Sequence, residues 1–295
     1  MLFRSIRGDL RALQGALELV PSNRRGFGHR CRYRERSIVS NRFFAGRVNY
    51  EGTMARDFNA GRSVSAHAQK VWRLALEPYL GGVTRILDVG AGTGRFTVLL
   101  AQWFGATVTG IEPASEMRKI AAVDGQHSNA SYVGGCAEQL PFKASSFDVA
   151  LLSNVYHHIS DRSSGAEELC RVLRAGGRVL IRGAFAGRLG EITLFDYFPE
   201  AKAVCEQFPT LAETLKNFSG LGFGFETVSP VVQQTCSSLK EFAARTRLRA
   251  DTTLILLTDD EFWSRQAALE TAAERAIQPT PVIDTLDLLV LRKPS

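Results

Sequence analysis

The chain of 295 residues is poor in several features that mark common protein classes. Its five cysteines, Cys31, Cys136, Cys170, Cys205 and Cys236, are scattered, odd in number and nowhere at metal-ligand spacing. This excludes a cysteine-held metal site and a disulfide-framed secreted fold, so no metal is expected. Free thiols in a reducing compartment, the cytoplasm, are the expectation. Long hydrophobic runs are also missing. The longest charge-free stretch, Phe96 to Ile111, has sixteen residues and contains Gln102, several threonines and two glycines. That is too short and too polar for a membrane span. No signal-peptide pattern is expected either, because Asp9, Arg11 and Glu18 interrupt the one early apolar region.

Positive charge is scarce once the leader is set aside. Residues 1–47 hold eleven arginines and no lysine against Asp9, Glu18 and Glu35, a net charge of +8. The remainder carries 25 basic and 27 acidic residues. Its slight acidity argues against a nucleic-acid surface on the body of the protein. Within the leader, Phe3, Ile6, Leu10, Leu13, Leu17 and Val20 recur at helical spacing. Residues 21–47 are Arg-rich without apolar periodicity and are expected to be poorly ordered. Two readings of residues 1–47 stand side by side. One is organelle targeting, which suits an Arg-rich amphipathic leader. The other is a non-essential extension ahead of a start near Val48 or Met54.

What is present from Tyr50 onward is regular alternation. Val64–Leu80 reads as a helix. Strands are then expected at Arg85–Val89, Thr107–Ile111, Ser131–Val133, Phe147–Leu152 and Arg178–Arg182. Helices fall between them at Phe96–Phe104, Ser115–Ala122 and Gly165–Leu173. This predicts an α/β fold, Rossmann-like and doubly wound, with helices on both faces of a mostly parallel sheet.

The first strand runs into a cluster of glycines, ILDVGAGTGRF at residues 86–96. In open α/β sheets a ligand binds outside the carboxyl ends of the strands, and a Gly-rich turn there lets it approach the backbone. Glu112 ends the second strand, where an acid accepts hydrogen bonds from both hydroxyls of a ribose. Turn and acid together point to an adenosine cofactor. The spacing G-A-G-T-G differs from the dinucleotide pattern G-x-G-x-x-G, and Asp88 stands just before it. A carboxylate there repels a pyrophosphate and suits an ammonium.

The chain resembles the class I S-adenosylmethionine-dependent methyltransferases, in the small-molecule branch that includes the ubiquinone/menaquinone C-methyltransferases. The resemblance spans about residues 84 to 182. It is carried by Ile86-Leu-Asp-Val-Gly-Ala-Gly-Thr-Gly94, Thr109-Gly-Ile-Glu-Pro-Ala-Ser115, Gly135-Cys-Ala-Glu-Gln-Leu-Pro-Phe142, Phe147-Asp-Val-Ala-Leu-Leu-Ser153 and Arg171-Val-Leu-Arg-Ala-Gly-Gly-Arg-Val-Leu180. It implies that Asp88, Gly90 and Gly92 hold the methionine end of S-adenosylmethionine and that Glu112 takes the ribose. Pro113 and Met117 would lie near the adenine, and Ala137 and Glu138 would flank it. Ala91, Gly94 and Asn154 complete the implied set. Many relatives carry Asp where this chain has Cys136, and a thiol is a poor acceptor for the adenine amino group.

After the fourth strand the sequence reads Ser153-Asn-Val-Tyr-His-His-Ile-Ser-Asp161. The Asn/Asp-Pro-Pro-Tyr motif of enzymes that methylate base or glutamine amines is absent. The stretch resembles that of plant-type O-methyltransferases, which places His157 at the general base, a role suited to an imidazole near neutrality. Alternatively, either His157 or His158 only caps the following helix. Substrate-covering segments are expected at Tyr50–Arg62, with Tyr50, Phe58 and Arg62 facing the site, and at residues 185–225. The latter stretch holds seven of the eighteen phenylalanines, among them Phe195 and Phe198. It reads as a helical lid over an apolar acceptor pocket, to which His158 would also contribute, with about half of the phenylalanines expected only to bury the lid on the core. Helices at Leu239–Leu248 and Asp260–Ala276 follow, and strands at Glu226–Thr235 and Pro281–Leu291, the last placed antiparallel inside a seven-stranded sheet by the resemblance.

The domain expectation is therefore a basic extension, 1–47, and a methyltransferase domain, 48–295, with its cofactor core at 84–184, a lid at 185–225 and C-terminal strands and helices at 226–295. The expected activity is methyl transfer to a small aromatic or lipophilic molecule, O-methylation first and C-methylation second. Three other readings remain: an NAD-type oxidoreductase, a non-catalytic cofactor-binding protein, and an RNA methyltransferase using the basic leader.

Overall fold

The computed structural model describes Phe58, Gly61 and residues 63–295. The leader, Tyr50 and Arg62 lie outside the described residues. The elements are α1 (Ala66–Leu80), β1 (Arg85–Val89), α2 (Arg95–Phe104), β2 (Thr107–Glu112), α3 (Ser115–Asp124), β3 (Ala130–Gly134), β4 (Phe147–Ser153), α4 (Arg162–Val172) and β5 (Leu173–Gly183). Then follow α5 (Leu194–Tyr197), α6 (Pro199–Cys205), α7 (Leu211–Ser219), β6 (Gly224–Cys236), α8 (Leu239–Thr246), α9 (Thr252–Ile255), α10 (Asp259–Arg275) and β7 (Val282–Arg292).

The strands form one sheet in the order β3-β2-β1-β4-β5-β7-β6. The first five are parallel. As expected, β7 lies inside the sheet and antiparallel, paired with both β5 and β6. Apolar residues on both faces of the central strands explain their near-continuous apolar runs, since a parallel sheet is covered on both sides. On one face Leu87, Val89, Leu152 and Ile181 pack with Ala166 and Leu169 of α4 and Phe218 of α7. On the other Ile86, Val108, Leu151 and Leu180 pack with Trp72 and Leu76 of α1 and Leu100 of α2.

The edge strand β6 is partly blunted by α1. Ser65 Oγ, at the cap of that helix, donates to the Gln234 carbonyl, and the Gln234 amide donates to His67 Nδ1 at 3.1 Å. These bonds occupy backbone groups that would otherwise invite another strand.

A third apolar cluster stands apart from the sheet. It joins Phe198, Val204, Cys205 and Phe208 to Ala243, Leu254, Leu257, Phe262 and Leu269. The helical cap is thus assembled from two stretches of chain, α5–α6 before β6 and α8–α10 after it. The stretch 185–225 supplies only part of it, because α7 with Phe218 and Phe223 belongs to the sheet core. Both long C-terminal helices start on a side-chain cap. Ser238 accepts from the Glu241 amide at 3.2 Å, and Thr258 forms a full capping box with Glu261.

Candidate functional site

The strand order reverses direction between β1 and β4, so a crevice opens at their carboxyl ends. Two loops meet there: the glycine turn after β1 and the stretch Asn154–His158 after β4.

Three glycines of the turn have left-handed backbones, Gly90 (φ 68°), Gly92 (φ 56°) and Gly94 (φ 79°). The protein itself accounts for two of them. A Cβ on Gly90 would lie 2.2 Å from Val155 Cγ2, and one on Gly94 would lie 2.3 Å from the Tyr132 hydroxyl. At Gly92 a Cβ would meet only Phe58, with Cε1 at 3.8 Å. Gly92 is therefore the position where the bare backbone faces the cleft, with the ring of Phe58 beside it.

The turn's amides are already engaged. Gly90 and Ala91 N–H groups both donate to the Ile111 carbonyl, at 2.8 and 3.0 Å. Gly94 N–H donates to the Ala91 carbonyl at 2.9 Å. Gly92 N–H donates to Glu112 Oε2 at 3.0 Å. A pyrophosphate needs such donors pointing outward. This turn instead presents carboxylate.

Glu112 is largely buried, 8% exposed, and its second oxygen accepts from the Ala114 amide at 2.9 Å. Each oxygen thus accepts from a backbone N–H, which fixes the carboxylate at the mouth of the turn. Asp88 sits deeper, 1% exposed, and accepts from Thr97 Oγ1 at 2.7 Å. Burial pushes its carboxyl up to about 6, a rise to which Glu112 adds and which the Thr97 bond opposes. Asp88 stands behind the turn, braced by α2, and so would act on a ligand cation by its charge from within the wall.

The other residues singled out in the sequence distribute as follows. Met117 is buried on α3, and Pro113, just after β2, is exposed. Cys136 is half-buried and carries a free thiol, and Ala137 is buried in the sheet core. Glu138 is tied to the chain, with its Oε1 accepting from the Ser160 amide at 3.0 Å. Its role visible in the structure is to hold the loop ahead of α4. Asn154 adopts a left-handed backbone (φ 52°), and its amide donates to the Arg182 carbonyl at 2.7 Å. This turns the chain sharply off β4 and brings Val155 onto Gly90.

The two histidines lie on a single 3₁₀ turn, Tyr156–His158, and neither caps α4, whose N-cap is Asp161. The His157 ring is stacked on Phe208, 4.0 Å between centroids and 3° between planes. The His158 Nε2 is 3.1 Å from the Thr252 hydroxyl of α9. Both rings therefore contact the cap. Phe195 is half-buried on α5, whereas Phe198, expected in the acceptor pocket, is fully buried against Phe262 in the cap's own core. Three residues central to this geometry went unmarked in the sequence. Val155 and Tyr132 require the glycines, and Thr97 braces Asp88. A hydroxyl or an apolar side chain carries no signal until the fold brings it into place.

Among the described residues no cluster of potential metal ligands occurs and no helix is long and apolar enough to cross a membrane.

Residues 87–181 match the family model described as "Methyltransferase domain". An uncharacterized methyltransferase of Mycobacterium sp. (strain JLS) is 34% identical over 161 residues, covering 53% of this chain and 59% of that protein. An O-methyltransferase of Aspergillus sclerotiorum, resE, is 38% identical over 100 residues, 32% of this chain and 38% of its own. The ubiquinone/menaquinone biosynthesis C-methyltransferase UbiE of Geobacter sp. (strain M21) is 34% identical over 129 residues, 41% and 54% of the two chains. The chain thus matches less than two thirds of the length of each of these relatives.

Two solved structures share the fold. A Haemonchus contortus phosphoethanolamine N-methyltransferase 2, in complex with S-adenosyl-L-methionine, superposes with a TM-score of 0.54 at 22% identity, covering 88% of this chain and 61% of that one. The [4+2]-cyclase SpnF superposes with a TM-score of 0.54 at 20% identity, covering 79% and 84%. The fold is thus shared with a protein named for a different reaction.

Proposed function

With residues 87–181 belonging to the class I S-adenosylmethionine-dependent methyltransferases, we propose that this chain transfers a methyl group from S-adenosylmethionine to a small aromatic or lipophilic acceptor. The observation that carries the cofactor reading is the glycine turn. Its Gly90, Ala91, Gly92 and Gly94 amides are engaged within the protein, and its two acids, Asp88 and Glu112, lie at and behind its surface. Such a site suits a ribose diol and an ammonium and disfavours the pyrophosphate of a dinucleotide, which sets aside the NAD-type reading. Glu112 would accept from the ribose hydroxyls, and Gly92 would lie against the methionine portion. Asp88 would supply negative charge beneath it, and Pro113, Met117, Cys136 and Ala137 would border the adenine.

The bound cofactor supplies an electrophilic methyl on a cationic sulfur. What the chain adds is alignment and exclusion of water. His157, held flat by Phe208, would take the proton of an acceptor hydroxyl. The Aspergillus O-methyltransferase and the UbiE C-methyltransferase match the same core. O-methylation is placed first on the strength of His157, and C-methylation second. A cofactor-binding role without turnover is the reading from another class, and turnover itself is the measurement that separates the two.

Calorimetric titration with S-adenosylhomocysteine, and separately with NADH, tests the cofactor. Micromolar binding of the first, lost in Asp88→Ala, is expected. Binding of NADH alone would overturn the reading. Turnover against a panel of phenols and quinones, with His157→Ala beside the wild type, tests the acceptor class.

A further inference from the structure

We propose that Arg245 of the cap is a positioning residue for cofactor capture, anchoring Gly61 and Ser63 and through them setting Phe58 beside Gly92 of the glycine turn. The inference rests on the cofactor reading above. Arg245 is mostly enclosed, its side chain 17% exposed, and its guanidinium joins three parts of the chain. Nη2 donates to the Ser63 carbonyl at 2.6 Å and Nε to the Gly61 carbonyl at 3.3 Å. Nη1 donates to the Thr235 carbonyl at 2.8 Å, at the end of β6, and lies 3.4 Å from Cys236 Sγ. Glu241, one turn earlier on α8, is 3.7 Å away.

Gly61 is pressed onto the cap at the same place. A Cβ on Gly61 would come within 2.7 Å of Ala250 Cβ, so only glycine allows this approach without a shift. Three residues before Gly61, the half-buried Phe58 puts its ring edge beside Gly92, the turn residue whose backbone faces the cleft.

Single backbone carbonyls are weak anchors in water, but an arginine fork binds several of them in one fixed geometry. A covering side chain held before the ligand arrives costs less ordering on binding. If it is released, apparent affinity falls by the fraction of molecules in which it is in place. Arg245 thus acts on the cofactor through Phe58.

The test is a double-variant cycle on the full chain with S-adenosylhomocysteine as probe. Arg245→Ala and Phe58→Ala are each expected to raise Kd about tenfold, and the double variant to bind no more weakly than Phe58→Ala alone. A purely structural arginine would lower the melting temperature without this coupling. Amide exchange of the peptide covering residues 58–63 should also accelerate in Arg245→Ala, while that of β1 and β2 stays unchanged. If Arg245→Ala does not fold, Arg245→Lys, which cannot fork between Gly61 and Ser63, should show a smaller loss with the same coupling. Wild type that fails to bind S-adenosylhomocysteine would overturn the cofactor reading. Wild type that binds, with Arg245→Ala binding equally well or with losses that multiply in the double variant, would overturn the role given to Arg245.

Discussion

The imidazole of His157 lies flat on the ring of Phe208, with 4.0 Å between centroids and 3° between planes. Phe208 comes from the cap and His157 from the end of β4, so the cap sets the plane of the ring that would handle the acceptor's proton. Replacing Phe208 with Leu keeps apolar volume and removes the flat platform. Once an acceptor is identified, turnover by Phe208→Leu should fall about tenfold or more, since general-base catalysis depends on the position of the base. The Kd for S-adenosylhomocysteine should stay at the wild-type value. Equal losses in both would mean that Phe208 only stabilises the cap.

Asp88 gives a dependence on pH whose sign can be worked out. Its carboxyl is pushed up to about 6 by burial, whereas in the unfolded chain it titrates near 3.9. Between about pH 4 and pH 6 only the folded state keeps the proton, so this group's contribution to stability is present at low pH and lost as pH rises. The difference is worth roughly 3 kcal/mol. Asp88→Asn removes it and still offers Thr97 an acceptor. In urea unfolding, the stability of Asp88→Asn relative to wild type should therefore rise from pH 4.5 to pH 7.5. Carboxylates held low by their partners, such as Asp148 and Glu168, slope the opposite way but cancel in the comparison. A flat difference would mean that Asp88 is not the titrating group.

The same carboxyl links pH to the ligand. A cationic ligand stabilises the ionised form, so binding at pH 5.5 should release a proton, and affinity should climb to about pH 6 and then level. Calorimetry in two buffers of different ionisation enthalpy reads the proton directly.

Two glycines two residues apart should fail in different ways. Gly90→Ala drives a Cβ into Val155 at a left-handed backbone and should lower the stability of the ligand-free protein by about 2 kcal/mol or more. Val155→Ala should restore part of it. Gly92→Ala meets only Phe58, at 3.8 Å, and carries the backbone penalty alone. Its larger effect should fall on the Kd for S-adenosylhomocysteine. Equal melting temperatures for the two variants would contradict the assignment of Val155.

Arg249 ties the cap together. It donates from Nε to the Leu254 carbonyl at 2.9 Å, from Nη2 to the Leu257 carbonyl and from Nη1 to Asp259 at 2.5 Å, with its guanidinium 4.8 Å from the centre of the Phe262 ring. Arg249→Ala should speed amide exchange across α8–α10 and leave β1 to β5 protected. Uniform acceleration through the sheet would show that cap and sheet open as one.

Much of the sheet was legible because its strands are short apolar runs between helices of clear period. Arg85–Val89 was read to the residue, and the other core elements to within a few. The helix expected at Asp260–Ala276 is α10, shifted by one residue to Asp259–Arg275. The cap itself was not legible. Its core pairs Phe198 with Phe262 across an intervening strand, and no local pattern links two stretches so far apart. The phenylalanines of residues 185–225 were expected to divide between pocket and core without a sign of which goes where, and Phe185, Phe218 and Phe223 pack in the sheet core, Phe198 and Phe208 in the cap, while Phe225 is exposed. Composition reports how much apolar surface a segment has, but not which neighbour will cover it. The glycine turn stood out in the sequence as a place for close ligand approach. Within the protein, Val155 and Tyr132 account for Gly90 and Gly94, and at Gly92 a Cβ would meet Phe58 at ordinary contact distance.

The place of β7 has a consequence for how the molecule comes into being. Among the described strands β6 pairs with β7 alone, and β7 follows it in sequence. As the chain leaves the ribosome, the strands β1 to β5 can assemble in order, but β6 has nothing to join until residues 282–292 have emerged. Until then β5 keeps an open edge, and the cap helices between β6 and β7 hang on a loop that is not yet closed. A nascent chain stalled before Val282 would lack two strands and the anchoring of its cap, while its cofactor turn could already be formed.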